Sequence, residues 1–341
     1  MAVFQRGNFF IPRNVELKKW SVIACDQFTS QPEYWHVVEN LVGDAPSTLH
    51  LTLPEVYLNG DYTDRIQKIN ANMQNYLQQG IFTEYKGVYI YVERTLQNGK
   101  IRKGIIGCVD LEEYDYTQNA KSLIRATEQT VLERIPPRQK IRERATLETS
   151  HILLLCNDGK KRLIEKIADC KNSLPLIYDF DLMQCGGHIT GWLVQGDDAQ
   201  NFEKYLLEYT KDIKEKYVGS EPMLFAVGDG NHSLCTAKFC YEAEKAATGR
   251  TDLPSRYAMV ELQNLQDEVQ QFEPIHRVVT DVDVQKLWQE LQKLATADGH
   301  KIECVTNGQQ STLCLDKNKG ELAVAVLQEF LDKYLAGNKG K

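Results

Sequence analysis

Short apolar runs alternate with amphipathic stretches along most of this chain. Trp20–Cys25 has the length and composition of a buried strand, and it breaks at Asp26-Gln27-Phe28-Thr29-Ser30. A helix is predicted to start after Ser30, with Pro32 in its first turn and Tyr34, Trp35, Val38, Leu41 and Val42 as its apolar stripe. Asp61–Gln79 repeats that pattern through Ile66, Ile69, Met73, Tyr76 and Leu77, and Gly80 ends it. Val88–Glu93 and Ile101–Val109 form a predicted hairpin around Gln97-Asn98-Gly99. Residues 121–148 break the rhythm: Arg, Glu and Thr dominate around Pro136-Pro137, which predicts two helices interrupted at the prolines.

Strand–helix alternation resumes at His151. Strands are expected at Ile152–Cys156, Leu174–Tyr178, Ile189–Val194, Met223–Val227 and Tyr257–Leu262, with helices at Lys160–Cys170, Ala199–Lys216 and Ser233–Ala246 between them. A last group follows: helix Val282–Leu294, strands near Ile302–Val305 and Thr312–Leu315, and helix Leu322–Leu335. The alternation argues for a mixed α/β fold, with parallel and antiparallel pairing in its sheets and helices flanking them. An N-terminal α/β part over residues 1–118 and a C-terminal one over 119–341 is the expected division, the two being open to intertwining in one domain.

A formal charge of −7 disfavours nucleic acid as a partner, since such proteins carry a broad basic face. The arginines between 125 and 144 alternate with Glu128, Glu133, Glu143 and Glu148, which reads as a solvated helical face. No apolar run approaches the roughly 18 residues that span a membrane, and Met1–Arg13 has no apolar core of signal-peptide length. The chain is expected to be cytoplasmic. Its nine cysteines are scattered without C-x-x-C spacing, and Cys25, Cys108 and Cys156 sit in apolar runs, as small hydrophobes do. Trp20, Trp35 and Trp192 are expected in the core. Gly337–Lys341 reads as a frayed tail, and self-association is left open.

The common phosphate-loop, dinucleotide, zinc-protease and serine-hydrolase motifs are absent. The informative stretch is Met223–Lys238, in which an apolar strand runs through Gly228-Asp229-Gly230-Asn231-His232-Ser233 straight into a helix. Glycines permit a tight turn, and a helix start presents free N–H groups and a positive dipole end to an anion. In this reading Gly228, Gly230, Asn231, His232 and Ser233 would hold phosphate, while Asp229 would hold a metal ion or orient a hydroxyl. The plain alternative is a capped strand–helix connection with Asp229 or Asn231 as the N-cap. Asp26, at a strand end, is a ligand candidate or a turn residue. Arg125 and Glu128, three apart on a predicted helix, are an anion and base pair or a surface ion pair. His276 and Arg277 follow Pro274, and Arg277 would reach phosphate or pair with a carboxylate. Gly186-Gly187-His188 reads as a turn.

Asp-Gly-Asn-His-Ser-x-x-x-Ala resembles the Asp-Gly-His-His-Arg-x-x-x-Ala signature of a bacterial and archaeal family known as domain of unknown function 1015. Ala24-Cys25-Asp26-Gln27, Ile124–Thr130 and Pro274-Ile275-His276-Arg277 resemble its early Asp, its Arg-His-Glu-x-Thr segment and its Pro-x-His-Arg segment. Asn231, Ser233 and Ala126 depart from that pattern. The turn is also similar to the phosphate-binding turn of the ParB/sulfiredoxin-like superfamily, which includes free-serine kinases. This second resemblance implies a nucleotide-dependent phosphotransferase acting on a small hydroxyl-bearing metabolite, with ATP or ADP and Mg2+. Asp26, Glu128 and Asp229 would be its catalytic carboxylates, with Arg125, His276 and Arg277 binding substrate. A regulatory protein that binds a nucleotide or phosphometabolite without chemistry is the alternative, and a nucleic-acid binder is a third reading opposed by the charge.

Overall fold

The computed structural model describes residues 3–58, 61–128, 135–149, 152–270, 276–316 and 323–341. The chain divides into two units, Met1–Gln271 and Phe272–Lys341. The first unit runs β1 (Phe4–Gln5), β2 (Gly7–Pro12), α1 (Leu17–Trp20), α2 (Pro32–Val42), α3 (Thr63–Gln78), β3 (Phe82–Thr95), β4 (Ile101–Asp110), β5 (Tyr114–Asp115) and β6 (Ile124–Ala126). It continues through α4 (Ile135–Arg142), β7 (Leu153–Cys156), α5 (Ile164–Asp169), β8 (Leu176–Asp181), β9 (His188–Val194), α6 (Gly196–Lys216), β10 (Phe225–Asp229), α7 (Asn231–Thr248) and β11 (Tyr257–Asn264). The second unit holds α8 (Val284–Gln292), the antiparallel hairpin β12 (Gly299–Thr306) and β13 (Gln309–Asp316), and α9 (Ala323–Gly337) around Leu291, Leu313 and Leu315.

Among the described residues one sheet of 11 strands organises the first unit, in the order β5-β6-β10-β7-β11-β4-β3-β9-β8, with β1 beside β4 and β2 beside β3. The pairs β5/β6, β6/β10 and β7/β11 are parallel and the others antiparallel, so the fold is mixed α/β as the sequence alternation implies. Strands from both sides of residue 118 interleave in this sheet, and the compact units divide at Gln271.

The two faces of the sheet differ because strand side chains alternate. Tyr89 and Tyr91 of β3 point into the main core, where Ile164 and Ile167 of α5, Phe202 and Tyr209 of α6 and Leu234 and Tyr241 of α7 cover them. Phe4, Tyr89 and Phe202 stack and edge onto one another with ring centroids 4.8–6.0 Å apart, a packing worth about 0.5–1.5 kcal/mol per pair beyond area burial. Val88 and Ile90 lie on the opposite face with Phe9 and Leu193. Further along that second face, Val92 and Arg94 line a cavity.

Two predicted segments differ from what folds. Trp20–Cys25 is not a strand: α1 ends at Trp20, and residues 21–24 carry no regular structure. Side-chain hydroxyls replace the ladder, since Ser47 and Thr48 donate to the Trp20 carbonyl and Val22 N–H donates to Thr48 Oγ1. The helix expected around Arg125 is instead β6, because Ile124, Arg125 and Ala126 pair with Phe225, Ala226 and Val227 of β10. Beyond it, α4 contains Pro136 and Pro137 in its first turn, where the missing N–H is tolerated. Residues 129–134 lie outside the described residues. No described helix is long and apolar enough to cross a membrane.

Candidate functional site

The cavity measures about 770 Å³. Its floor is the second face of the sheet, bearing Val92 and Arg94 of β3, Arg102 of β4, Glu261 of β11 and Leu153 of β7. Segment 21–28, α4 and the loop at residues 182–186 close over it. Asp229, Ser233 and Thr236 contribute from the junction of β10 and α7.

That junction is the strand–turn–helix stretch singled out in the sequence. Gly230 takes φ 78°, the left-handed region that only glycine enters without strain, and it is the N-cap of α7. It has no side-chain cap, so neither Asp229 nor Asn231 caps the helix. Asp229 turns back instead, and its Oδ1 accepts from Gly230 N–H at 2.7 Å. Asn231 is buried, and its amide is engaged with Thr127 just beyond β6: Oδ1 accepts from Thr127 N–H at 3.2 Å. Thr127 Oγ1 in turn donates to the Val227 carbonyl. Asn231 therefore uses its side-chain amide to fix the turn against Thr127.

Asp26 reaches the same end of the cavity from the other side. Its carboxyl is raised above the ordinary value, first by burial and then by the nearby charge of Asp229. Two carboxylates thus stand close enough to feel each other. His232 is largely buried, with Nδ1 3.8 Å from Glu128 Oε1, and Glu128 stands mostly in solvent. Among the described residues no group of three or more His, Cys, Asp or Glu could hold a metal ion. A Mg2+ held by Asp229 would take its other ligands from phosphate oxygens and water, as this ion usually does.

Arg125 is not among the residues that line the cavity. Arg125 does not share a helix face with Glu128, because it lies on β6. Its Nε donates to the Ser122 carbonyl at 2.8 Å and its Nη2 to the Glu221 carbonyl at 3.0 Å, so the guanidinium holds backbone. His276 and Arg277 belong to the second unit, where Arg277 Nε donates to Gln328 Oε1 at 2.9 Å.

The cavity also holds residues that motif reading passed over. Arg138 and Arg142 of α4 are only 15% and 17% exposed and pair with Glu55 and Glu148, so they are not the solvated face that their alternation with Glu suggested. Glu148 Oε1 also accepts from Met259 N–H at 3.3 Å, which ties α4 to β11. Arg94 and Arg102 face each other across the β3–β4 hairpin. Gly104 makes room for Glu261 on the floor, since a Cβ there would stand 2.5 Å from Glu261 Oε1. Counting outward from Asn98 in the predicted hairpin puts Arg94 opposite Arg102, and Arg94 continues the apolar positions 88, 90 and 92 of one face. A charge at the end of an apolar face was the available signal. Gly186, read as part of a turn, is also a cavity residue, and its carbonyl accepts from Arg94 Nε and Nη2.

A family model described as "Protein of unknown function (DUF1015)" matches residues 11–334, nearly the whole chain. The chain belongs to this family. No curated protein and no solved structure matches it. In this DUF1015 member the cavity brings together Asp26, Asp229 and the start of α7.

Proposed function

We propose that this cavity is the active site of a nucleotide-dependent phosphotransferase that acts on a small hydroxyl-bearing metabolite in the cytoplasm. The observation that carries the reading is the pair Asp26 and Asp229 at the start of α7, both lining one cavity. The Ser233 backbone N–H and the positive end of α7 would take the nucleotide phosphates. Asp229 would hold Mg2+ with those phosphates. Asp26 is better suited than Glu128 to take the acceptor's proton, because burial raises its carboxyl toward the working pH while Glu128 is exposed. In the transfer, the acceptor oxygen bonds to the γ-phosphorus, the bond to the β–γ bridging oxygen breaks, and the hydroxyl proton passes to Asp26. Catalysis would rest on positioning and charge neutralisation. The similarity of the turn to that of the ParB/sulfiredoxin-like superfamily supports the same chemistry.

The test is transfer of labelled γ-phosphate from ATP with Mg2+ to a panel of small hydroxyl compounds. Wild type should form a labelled product and Asp229→Asn should not. Equal product from both proteins overturns the assignment. The engagement of Asn231 with Thr127 favours a second reading, a nucleotide- or phosphometabolite-binding regulator, because it leaves the turn with fewer side-chain ligands. Saturable nucleotide binding with no product across the panel selects that reading.

A further inference from the structure

Arg94 and Arg102 occupy directly opposed positions on neighbouring strands, and both side chains enter the cavity. Like charges so placed repel and destabilise a sheet. Their surroundings relieve this only in part, since Arg94 still has its charged form disfavoured on balance. Arg94 donates from Nε and Nη2 to the Gly186 carbonyl at 3.1 and 2.9 Å, contacts that place the group without neutralising it. Its charge is disfavoured first by burial and then by Arg102. Among the described residues Arg102 makes no side-chain hydrogen bond or ion pair, and its Nε is shut off from solvent without an acceptor. Of the carboxylates at this end, Glu55 pairs with Arg138 and Glu148 with Arg142, while Glu261 accepts from the Gln263 amide at 2.6 Å and its charge offsets that of Arg94 only in part. A buried donor without a partner costs about 1–3 kcal/mol, and more for a charged group.

These two guanidiniums lie far from the Asp229 end. The register runs from Asp229 to Leu153, to Glu261 and to Ile106, three strands away, and Arg102 lies four residues further along β4. At about 4.8 Å per strand and 3.3 Å per residue the backbones are roughly 20 Å apart. Even the full reach of an arginine leaves the two ends in contact with different groups of a ligand.

We infer that the Arg94–Arg102 end is an oxyanion subsite, which takes a carboxylate or phosphate group that the acceptor metabolite carries away from its reacting hydroxyl. Placing this group on the acceptor rests on the phosphotransferase reading; the subsite itself does not. The unpartnered Arg102 fork, with the opposed charge of Arg94 beside it, suits an oxyanion, which would relieve the repulsion between them. The nucleotide phosphates, held at the start of α7, are too distant to be this anion. The substrate class is thus an elongated hydroxy acid or phosphorylated alcohol.

The test uses inorganic phosphate and malonate as probes, by thermal shift and calorimetry, on wild type, Arg102→Gln and Arg102→Lys, with sodium chloride at matched ionic strength as the control. At least one oxyanion should raise the wild-type melting temperature beyond the chloride control, and the better probe tells phosphate from carboxylate. Arg102→Gln should weaken that binding at least tenfold, and Arg102→Lys less, since it keeps charge without the fork. Ligand-free Arg102→Gln should melt no lower than wild type, because the substitution removes the charge facing Arg94; a purely structural arginine would lower it. Equal binding by Arg102→Gln, or no oxyanion effect in wild type, overturns the subsite. ATP with Mg2+ is titrated in parallel. Oxyanion binding without nucleotide binding would sink the phosphotransferase and leave the subsite, and the reverse would sink the subsite alone.

Discussion

Asn231 holds Thr127 at the junction of two parallel strands, with its Oδ1 3.2 Å from the Thr127 N–H and its Nδ2 3.4 Å from Thr127 Oγ1. One buried amide thus joins the first turn of α7 to the residue that follows β6. Asn231→Ala should leave the Thr127 N–H without this acceptor and lower unfolding stability by about 1–3 kcal/mol. Urea denaturation measures it. An unchanged midpoint would show that the clamp carries no stability.

Gly230 is the other local condition for the turn. Its φ of 78° places any Cβ against the following carbonyl. Gly230→Ala should cost about 1–2 kcal/mol. It should also weaken nucleotide binding, because the strained turn misdirects the Ser233 N–H group. Denaturation and calorimetry on the same variant check both effects.

Asp26 makes a pH prediction with a definite sign. Its folded-state carboxyl is raised above the ordinary 3.8, by burial first and Asp229 second. Just above that value the unfolded chain has lost the proton that the folded protein keeps. Stability contributed by this group therefore falls as pH rises through the window between the ordinary and the raised value, and stays lower beyond it. Asp26→Asn should remove that fall, and should raise the ligand-free melting temperature at neutral pH while abolishing transfer. Melting curves across acidic to neutral pH decide it: a variant with the wild-type slope would contradict the burial argument.

Asp110 and Arg256 form a buried fork, with Arg256 Nε 2.8 Å from Oδ1 and Nη2 2.6 Å from Oδ2, where the end of β4 meets the start of β11. Asp110 and Arg256 are 1% and 8% exposed, so removing one partner strands the other charge in the interior. Arg256→Met should cost about 3–5 kcal/mol. The double variant Asp110→Asn with Arg256→Met should recover part of that loss in a double-mutant cycle.

Much of the framework was legible because it depends on local signals. Pro32 and Gly43 bracket α2, the apolar stripe from Ile66 to Tyr76 defines α3, and Gln97-Asn98-Gly99 sets the hairpin register. The strand–turn–helix at residues 225–248 was readable for the same reason. Trp20–Cys25 misled because apolar composition cannot tell a strand from an extended segment whose backbone is bonded by Ser47 and Thr48 hydroxyls. Arg125 misled because its parallel partner, β10, lies about a hundred residues away. The same distance hid most of the cavity. Arg138 meets Glu55 only through tertiary packing, and Arg94 and Arg102 matter only once the face they share is known to line a cavity.

The most direct measurement is a calorimetric titration of ATP into wild type and Asp229→Asn, each with and without Mg2+. If the cavity binds nucleotide at the start of α7, wild type should bind ATP more tightly with Mg2+ than without it. The variant should lose that Mg2+ dependence, because the carboxylate that would share the ion is gone. Wild type that binds no ATP, or a variant whose Mg2+ dependence is unchanged, would contradict a nucleotide site between Asp26 and Asp229.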